Sequence, residues 1–173
     1  ENIQKDATVI SNGTVIRPAE IGMLAGIGVT DVAVIRKPKV VILTSGDELV
    51  DIDQPITPGK IRDTNSYTIA SLITLAGGLP IRLPIANDTM DSIRQLYADA
   101  IALKPDMIIS SAGVSVGTAD LVKVVMAELG NIGFWRINLR PGKPLAYGTI
   151  QDIPFFGLPG NPVSAMITFE VFV

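Results

Sequence analysis

Four segments of this chain combine ionisable or hydroxyl side chains with Gly and Pro, and each follows an apolar run. They are Thr44-Ser45-Gly46-Asp47-Glu48-Leu49, Gly113-Val114-Ser115-Val116-Gly117-Thr118-Ala119-Asp120, Arg140-Pro141-Gly142-Lys143-Pro144 and Gly157-Leu158-Pro159-Gly160-Asn161-Pro162-Val163-Ser164. The first brings two carboxylates to a sharp turn, which suits a divalent cation or the positioning of a water; a solvated turn with a helix-capping acid explains them as well. The second offers small residues and free N–H groups ahead of a helix that begins near Thr118, a geometry that holds anions. Asp120 falls in the first turn of that helix, either as a dipole partner or as a metal ligand. No Lys follows Gly117, so this is not a P-loop. In the third, Pro residues stiffen a turn that carries Arg140 and Lys143, lowering the entropy cost of holding two cations beside an anion. Taken alone it reads as a surface turn. In the fourth, Asn161 suits an N-cap and Pro162 the first helical position, which leaves Pro159 and Gly160 unexplained. Asn87-Asp88 by itself reads as a cap for a helix from Thr89.

Composition narrows the chemistry. Of 173 residues, 47% are hydrophobic and 18% charged, enough for a sizeable core. Net charge is −3 and no Lys/Arg cluster appears, which argues against a nucleic-acid partner. There is no Cys and no His, so thiolate chemistry, His-containing zinc sites and His general acid–base work are excluded. A metal here must be hard and oxygen-bound, which favours Mg²⁺. No apolar run reaches membrane-spanning length and no signal peptide is visible, so a cytoplasmic protein without a membrane partner is expected. The missing initial Met, and an amphipathic stretch still running at Val173, read as a piece of a longer protein.

The elements that must position these loops alternate. Residues 1–37 read as a separate small mixed α/β unit, with strands at 7–10 and 32–35 around a short helix opened by Arg17-Pro18-Ala19-Glu20 and ended by Gly26 and Gly28. From residue 38 onward, strands are expected at 40–44, 80–85, 106–111 and 154–156. Helices are expected at 65–75, 89–103, 120–129 and from Pro162. An antiparallel excursion, 132–139 with 145–150, surrounds the Pro-Gly-Lys-Pro turn. Repeated βα units imply a three-layer α/β/α sandwich with a mostly parallel sheet. Loops at the carboxyl ends of such strands share one edge, where ligands bind.

The ordered set of motifs resembles the molybdopterin molybdotransferase family, that is, the MoeA proteins and the gephyrin E-domain. The order runs Gly46-Asp47-Glu48-Leu49, Ile61-Arg62-Asp63-Thr64-Asn65, Asp88, Gly113-Val114-Ser115-Val116-Gly117 with Asp120, Pro141-Gly142-Lys143-Pro144, and Leu158-Pro159-Gly160-Asn161-Pro162-Val163-Ser164. The likeness begins at Arg17-Pro18-Ala19-Glu20-Ile21-Gly22 and extends to Val173. It implies the molybdopterin-binding fold for residues 38–173, with residues 1–37 as part of a linker and dimerisation domain. It further implies that molybdate is inserted into adenylylated molybdopterin (molybdopterin-AMP) with Mg²⁺-dependent release of AMP. By motif position, Glu48, Asp88, Asp120, Arg140 and Lys143 correspond to catalytic residues, and Glu48 and Asp120 to metal ligands. Asn65, Gly113, Ser115, Gly117, Pro159, Pro162 and Ser164 correspond to substrate contacts. A homodimer of the complete protein and the molybdopterin adenylyltransferase are the implied protein partners.

Two positions depart from the family pattern. Ala112 stands where a second Gly is usual, and Arg140 where Lys is usual; the latter keeps charge but changes geometry. Family members also carry segments before residue 1 and after Val173, so the piece alone is expected to be incomplete as an enzyme. Three other readings compete: a molybdopterin adenylyltransferase on the same fold, a non-catalytic gephyrin-like scaffold, and a generic sugar- or nucleotide-binding α/β domain.

Overall fold

The computed structural model describes residues 3–4, 6–111 and 119–173. The chain divides into two compact units, Glu1–Arg36 and Lys37–Val173. In the first unit, helix α1 (Pro18–Gly26) starts on Arg17, whose backbone N–H donates to Glu20 Oε2 at 2.9 Å. None of the residues of α1 is buried. The strands expected at 7–10 and 32–35 do not form: among the described residues no ladder partner faces either segment, and an extended stretch without one leaves its N–H and C=O groups to water.

The second unit begins with β1 (Lys39–Thr44), then a short excursion of β2 (Leu49–Val50) and β3 (Ile61–Arg62). It continues with α2 (Asn65–Leu75), β4 (Leu79–Arg82), α3 (Met90–Ala102), β5 (Met107–Ser111) and α4 (Ala119–Leu129). It ends with β6 (Gly130–Arg136), β7 (Pro144–Ile150), β8 (Ile153–Leu158) and α5 (Pro162–Phe172). Six strands form one sheet in the order β4-β1-β5-β8-β7-β6. β4, β1, β5 and β8 pair in parallel, and β7 is antiparallel to both its neighbours. The expected excursion around the Pro-Gly-Lys-Pro turn is the β6–β7 hairpin.

Strand periodicity builds the layers. Val41 and Leu43 of β1 pack with Ile93, Leu96 and Tyr97 of α3 and with Val125 and Met126 of α4. Val40 and Ile42 point the other way, to Ile69, Leu72 and Ile73 of α2 and to Ala165 and Phe169 of α5. A strand buried on both faces needs this unbroken apolar run, and covering both faces needs helices on each side. The result is a three-layer α/β/α sandwich.

After β1 the chain goes to β4 on one side, then returns to β5 on the other. The carboxyl ends of β1 and β5 therefore flank a topological switch point, where loops diverge and leave a crevice. The loops following β1, β4 and β8 leave the sheet at that edge, where β5 also ends, and the β6–β7 turn joins them because β7 starts beside the end of β8.

Candidate functional site

The acidic corner is built by two loops that hold each other. Ser45 and Ala86 continue the parallel β1–β4 pairing past the strands: the Ala86 N–H donates to the Thr44 carbonyl at 3.0 Å and the Gly46 N–H to the Ala86 carbonyl at 3.1 Å. Beyond this seam the backbone N–H of Asp88 donates to Asp47 Oδ1 at 3.0 Å, and the N–H of Asp47 donates back to Asp88 Oδ2 at 3.3 Å. Gly46 has φ of 156°, and a Cβ on it would lie 2.7 Å from Glu48 Oε2, so the Glu48 carboxylate folds back over a position that only Gly fills easily. Lys60 Nζ closes the loop from outside by donating to the Asp47 carbonyl.

Asp88 is not the cap of α3. Thr89 takes that role, its Oγ1 accepting from the Ser92 N–H at 3.3 Å. Asp88 Oδ1 is buried and finds no hydrogen-bond partner among the described residues. Burial pushes the Asp88 carboxyl above its ordinary range; the Asp47 N–H opposes this, and the charges of Asp47 and Glu48 add to it. A half-buried carboxylate with an unused oxygen, beside two more carboxylates, is arranged to receive a cation or a donor from a ligand.

Among the described residues two further buried oxygens at this edge find no hydrogen-bond partner. Thr44 Oγ1 ends β1, and Asn65 Oδ1 opens α2. The Asn65 side chain is 8% exposed and spends its amide elsewhere: Nδ2 donates to the Gly160 carbonyl at 2.8 Å, tying the start of α2 to the loop after β8. Asp63, 2% exposed, accepts from the Ser66 N–H at 3.0 Å and so caps α2.

In the loop after β8, Pro159 is buried, Gly160 and Pro162 are exposed, and Asn161 Oδ1 caps α5 by accepting from the Ser164 N–H at 3.2 Å. Ser164 is buried, with Oγ 3.4 Å from Asn161 Oδ1, and so serves the cap. The Pro-Gly-Lys-Pro turn lies on α5: Gly142 has φ of 115°, and a Cβ there would stand 2.7 Å from Thr168 Oγ1. The Ile137 N–H donates to the Lys143 carbonyl at 2.8 Å and closes the turn. Arg140 and Lys143 are exposed, and among the described residues their side chains form no ion pair.

The structure thus gathers Glu48, Asp47 and Asp88 at one corner, and joins Asn65 to the loop carrying Pro159, Pro162 and Ser164. Gly113, Ser115 and Gly117, with Ala112, lie outside the described residues. Asp120 is the second residue of α4; its side chain lies outside them too. The sequence reading gives no role to Lys60, nor to Asp63 within the Ile61-Arg62-Asp63-Thr64-Asn65 motif. The Asp63 signal was present, since an acid three residues before Ser66 is a capping position. Lys60 carried none. An apolar recess of about 370 Å³, lined by Trp135, Leu145, Tyr147, Phe156 and Phe172, contains none of the candidate residues.

The sequence profile described as a probable molybdopterin binding domain matches residues 41–173. The chain belongs to this family. The chain is 38% identical over 169 residues to the molybdopterin molybdenumtransferase of Haemophilus influenzae, covering 98% of this chain and 42% of that protein. It is 40% identical over 174 residues to the protein of the same name from a Nostoc species, covering 98% and 40%. Among solved structures, the molybdopterin biosynthesis MoeA protein from Pyrococcus horikosii superposes with a TM-score of 0.78 at 34% identity, covering 88% of this chain and 38% of that one. The chain spans about two fifths of the length of these curated relatives.

The carboxylates and carbonyls of the acidic corner are all hard oxygen donors. Among the described residues no three Asp or Glu side chains are set to enclose a metal. The hard-oxygen chemistry of the corner is of the kind Mg²⁺ takes, an ion that uses one or two carboxylates and completes its shell with water and substrate phosphates.

Proposed function

We propose that the complete protein inserts molybdate into adenylylated molybdopterin and releases AMP, a step of molybdenum cofactor biosynthesis. The observation that carries this is the acidic corner, whose Asp88 Oδ1 has no partner among the described residues, on the switch-point edge of a chain 38% identical to a molybdopterin molybdenumtransferase. Glu48 and Asp88, with Asp120 from the start of α4, would hold Mg²⁺. Such an ion would supply positive charge at the phosphates and would make a bound water more acidic. Arg140 and Lys143 neutralise phosphate and molybdate. Asn65, with Gly113, Ser115 and Gly117 of the loop after β5, takes the pterin and phosphate edges. Pro159, Pro162 and Ser164 shape the loop that lines the substrate.

The same reading makes residues 38–173 the molybdopterin-binding domain and residues 1–37 part of a linker and dimerisation domain. The complete protein is then a cytoplasmic homodimer that receives its substrate from a molybdopterin adenylyltransferase. Among the described residues no helix is long and apolar enough to cross a membrane.

The test is AMP release by the complete protein, supplied with molybdopterin-AMP, molybdate and Mg²⁺. Glu48→Gln and Asp120→Asn are each expected to slow release by about 100-fold or more while keeping the fold, as loss of a charge-stabilising group does. Wild-type rates in both variants, or ATP-dependent adenylylation of molybdopterin in place of AMP release, would overturn the assignment.

A further inference from the structure

We infer that Arg82 is a positioning residue for the acidic corner, anchoring the segment between Glu48 and Asn65 so that both stand where the substrate edge needs them. This rests on the assignment of Glu48 to the Mg²⁺ site. Arg82 ends β4 and engages three groups at once. Its Nε donates to Ser66 Oγ at 2.8 Å and its Nη2 to Asp51 Oδ1 at 3.2 Å, while its guanidinium lies 3.5 Å from the centre of the Tyr67 ring. The Tyr67 hydroxyl donates to the same Asp51 oxygen at 2.7 Å.

The partners flank the segment on both sides. Asp51 follows β2 and is three residues past Glu48; Ser66 and Tyr67 follow Asn65 in the first turn of α2. Inside the segment the other ties are few, and one of them is the Lys60 Nζ bond to the Asp47 carbonyl. β2 and β3 are two residues each, linked through the Ile61 N–H to the Glu48 carbonyl at 2.8 Å and the Asp63 N–H to the Val50 carbonyl at 2.9 Å. Arg62 Nη1 donates to the Gln54 carbonyl at 3.0 Å. Residues 52–59 are exposed.

An ordinary edge-strand charge would not explain this arrangement. A lone surface ion pair contributes little and tolerates Lys for Arg. Here a planar fork bonds two residues with different nitrogens and stacks on a third, a combination Lys cannot copy. The side chain is 25% exposed, so water competes only in part.

The experiment compares Arg82→Gln, Arg82→Lys and Asp51→Asn with the wild type in the complete protein. Arg94→Gln is the control, because it removes an ion pair with Glu128 between α3 and α4. Two quantities are read: the Mg²⁺ concentration for half-maximal AMP release, and amide hydrogen exchange along the chain. The three test variants should raise the Mg²⁺ requirement about tenfold, as loss of a group that orients a metal ligand does. They should also speed exchange of the Ile61 and Asp63 amides about tenfold, leaving β1 and β5 unchanged. Arg82→Lys should not restore the wild-type values, and Arg94→Gln should leave both unchanged.

An unaltered Mg²⁺ requirement in active variants overturns the proposal. So does exchange that stays at wild-type rates, or that rises equally in β1 and β5. If the wild-type protein releases no AMP, the functional reading fails by itself, and exchange alone decides whether Arg82 anchors the segment.

Discussion

Asp88 shows how one residue can trade stability for use. Its carboxyl is held above the ordinary value of 3.8, first by burial and then by Asp47 and Glu48. An acid whose folded-state pKa is raised favours the folded chain while protonated, and that contribution is lost as pH rises from the unfolded value through the folded one. At neutral pH the wild type therefore carries a buried charge at a cost. Asp88→Asn keeps an oxygen for the Asp47 N–H and removes the charge. It should melt at a higher temperature than wild type at pH 7, with the difference vanishing below pH 3.8, while AMP release falls by about 100-fold. Thermal melts across pH check the first part; equal melting at pH 7 would remove the argument from burial. The sequence showed Asp88 as a cap beside Asn87. Only three dimensions could reveal that Thr89 does the capping, because a cap is decided by which oxygen reaches the Ser92 N–H.

At the level of elements, long periodic segments were legible and short ones were not. The helix expected at 65–75 spans those same residues, and the strand at 40–44 gains only Lys39. β2 and β3 escaped notice because two residues carry no period, and the Arg82 cluster because its members are scattered over 31 positions with no shared motif. In unit 1, runs such as Val32-Ala33-Val34-Ile35 have the composition of strands but no partner strand among the described residues. Propensity alone does not make a ladder. The caps can be tested directly. Asn161→Ala removes the acceptor for the Ser164 N–H and should destabilise the chain by about 1 kcal/mol in chemical denaturation. It should also weaken molybdopterin binding, because the same turn presents the Gly160 carbonyl to Asn65. Unchanged stability would mean that α5 is held by Ala165 and Phe169 packing alone.

Across the whole molecule the division of labour is uneven. Every buried hydrophobic residue among those described lies at Val40 or beyond, and α1 buries none. A chain starting at Lys37 should therefore unfold cooperatively with a midpoint within about 2 °C of the 173-residue chain. Calorimetry of both would show it, and a large drop would mean that unit 1 contributes to the core. The fold class and the edge on which the candidate loops gather followed from the βα alternation. Which loops touch did not, since contacts such as Asn65 with Gly160 join residues 95 positions apart. That separation also sets a schedule. On the ribosome β1, β4 and β5 can pair once Ser111 has emerged, but Gly160 is still unmade, and β8 must follow the β6–β7 hairpin into the sheet. The ligand edge is thus among the last parts of this chain to be completed during synthesis. A nascent chain stalled after β5 should already hold a parallel three-stranded sheet and yet have no capacity to capture its ligand.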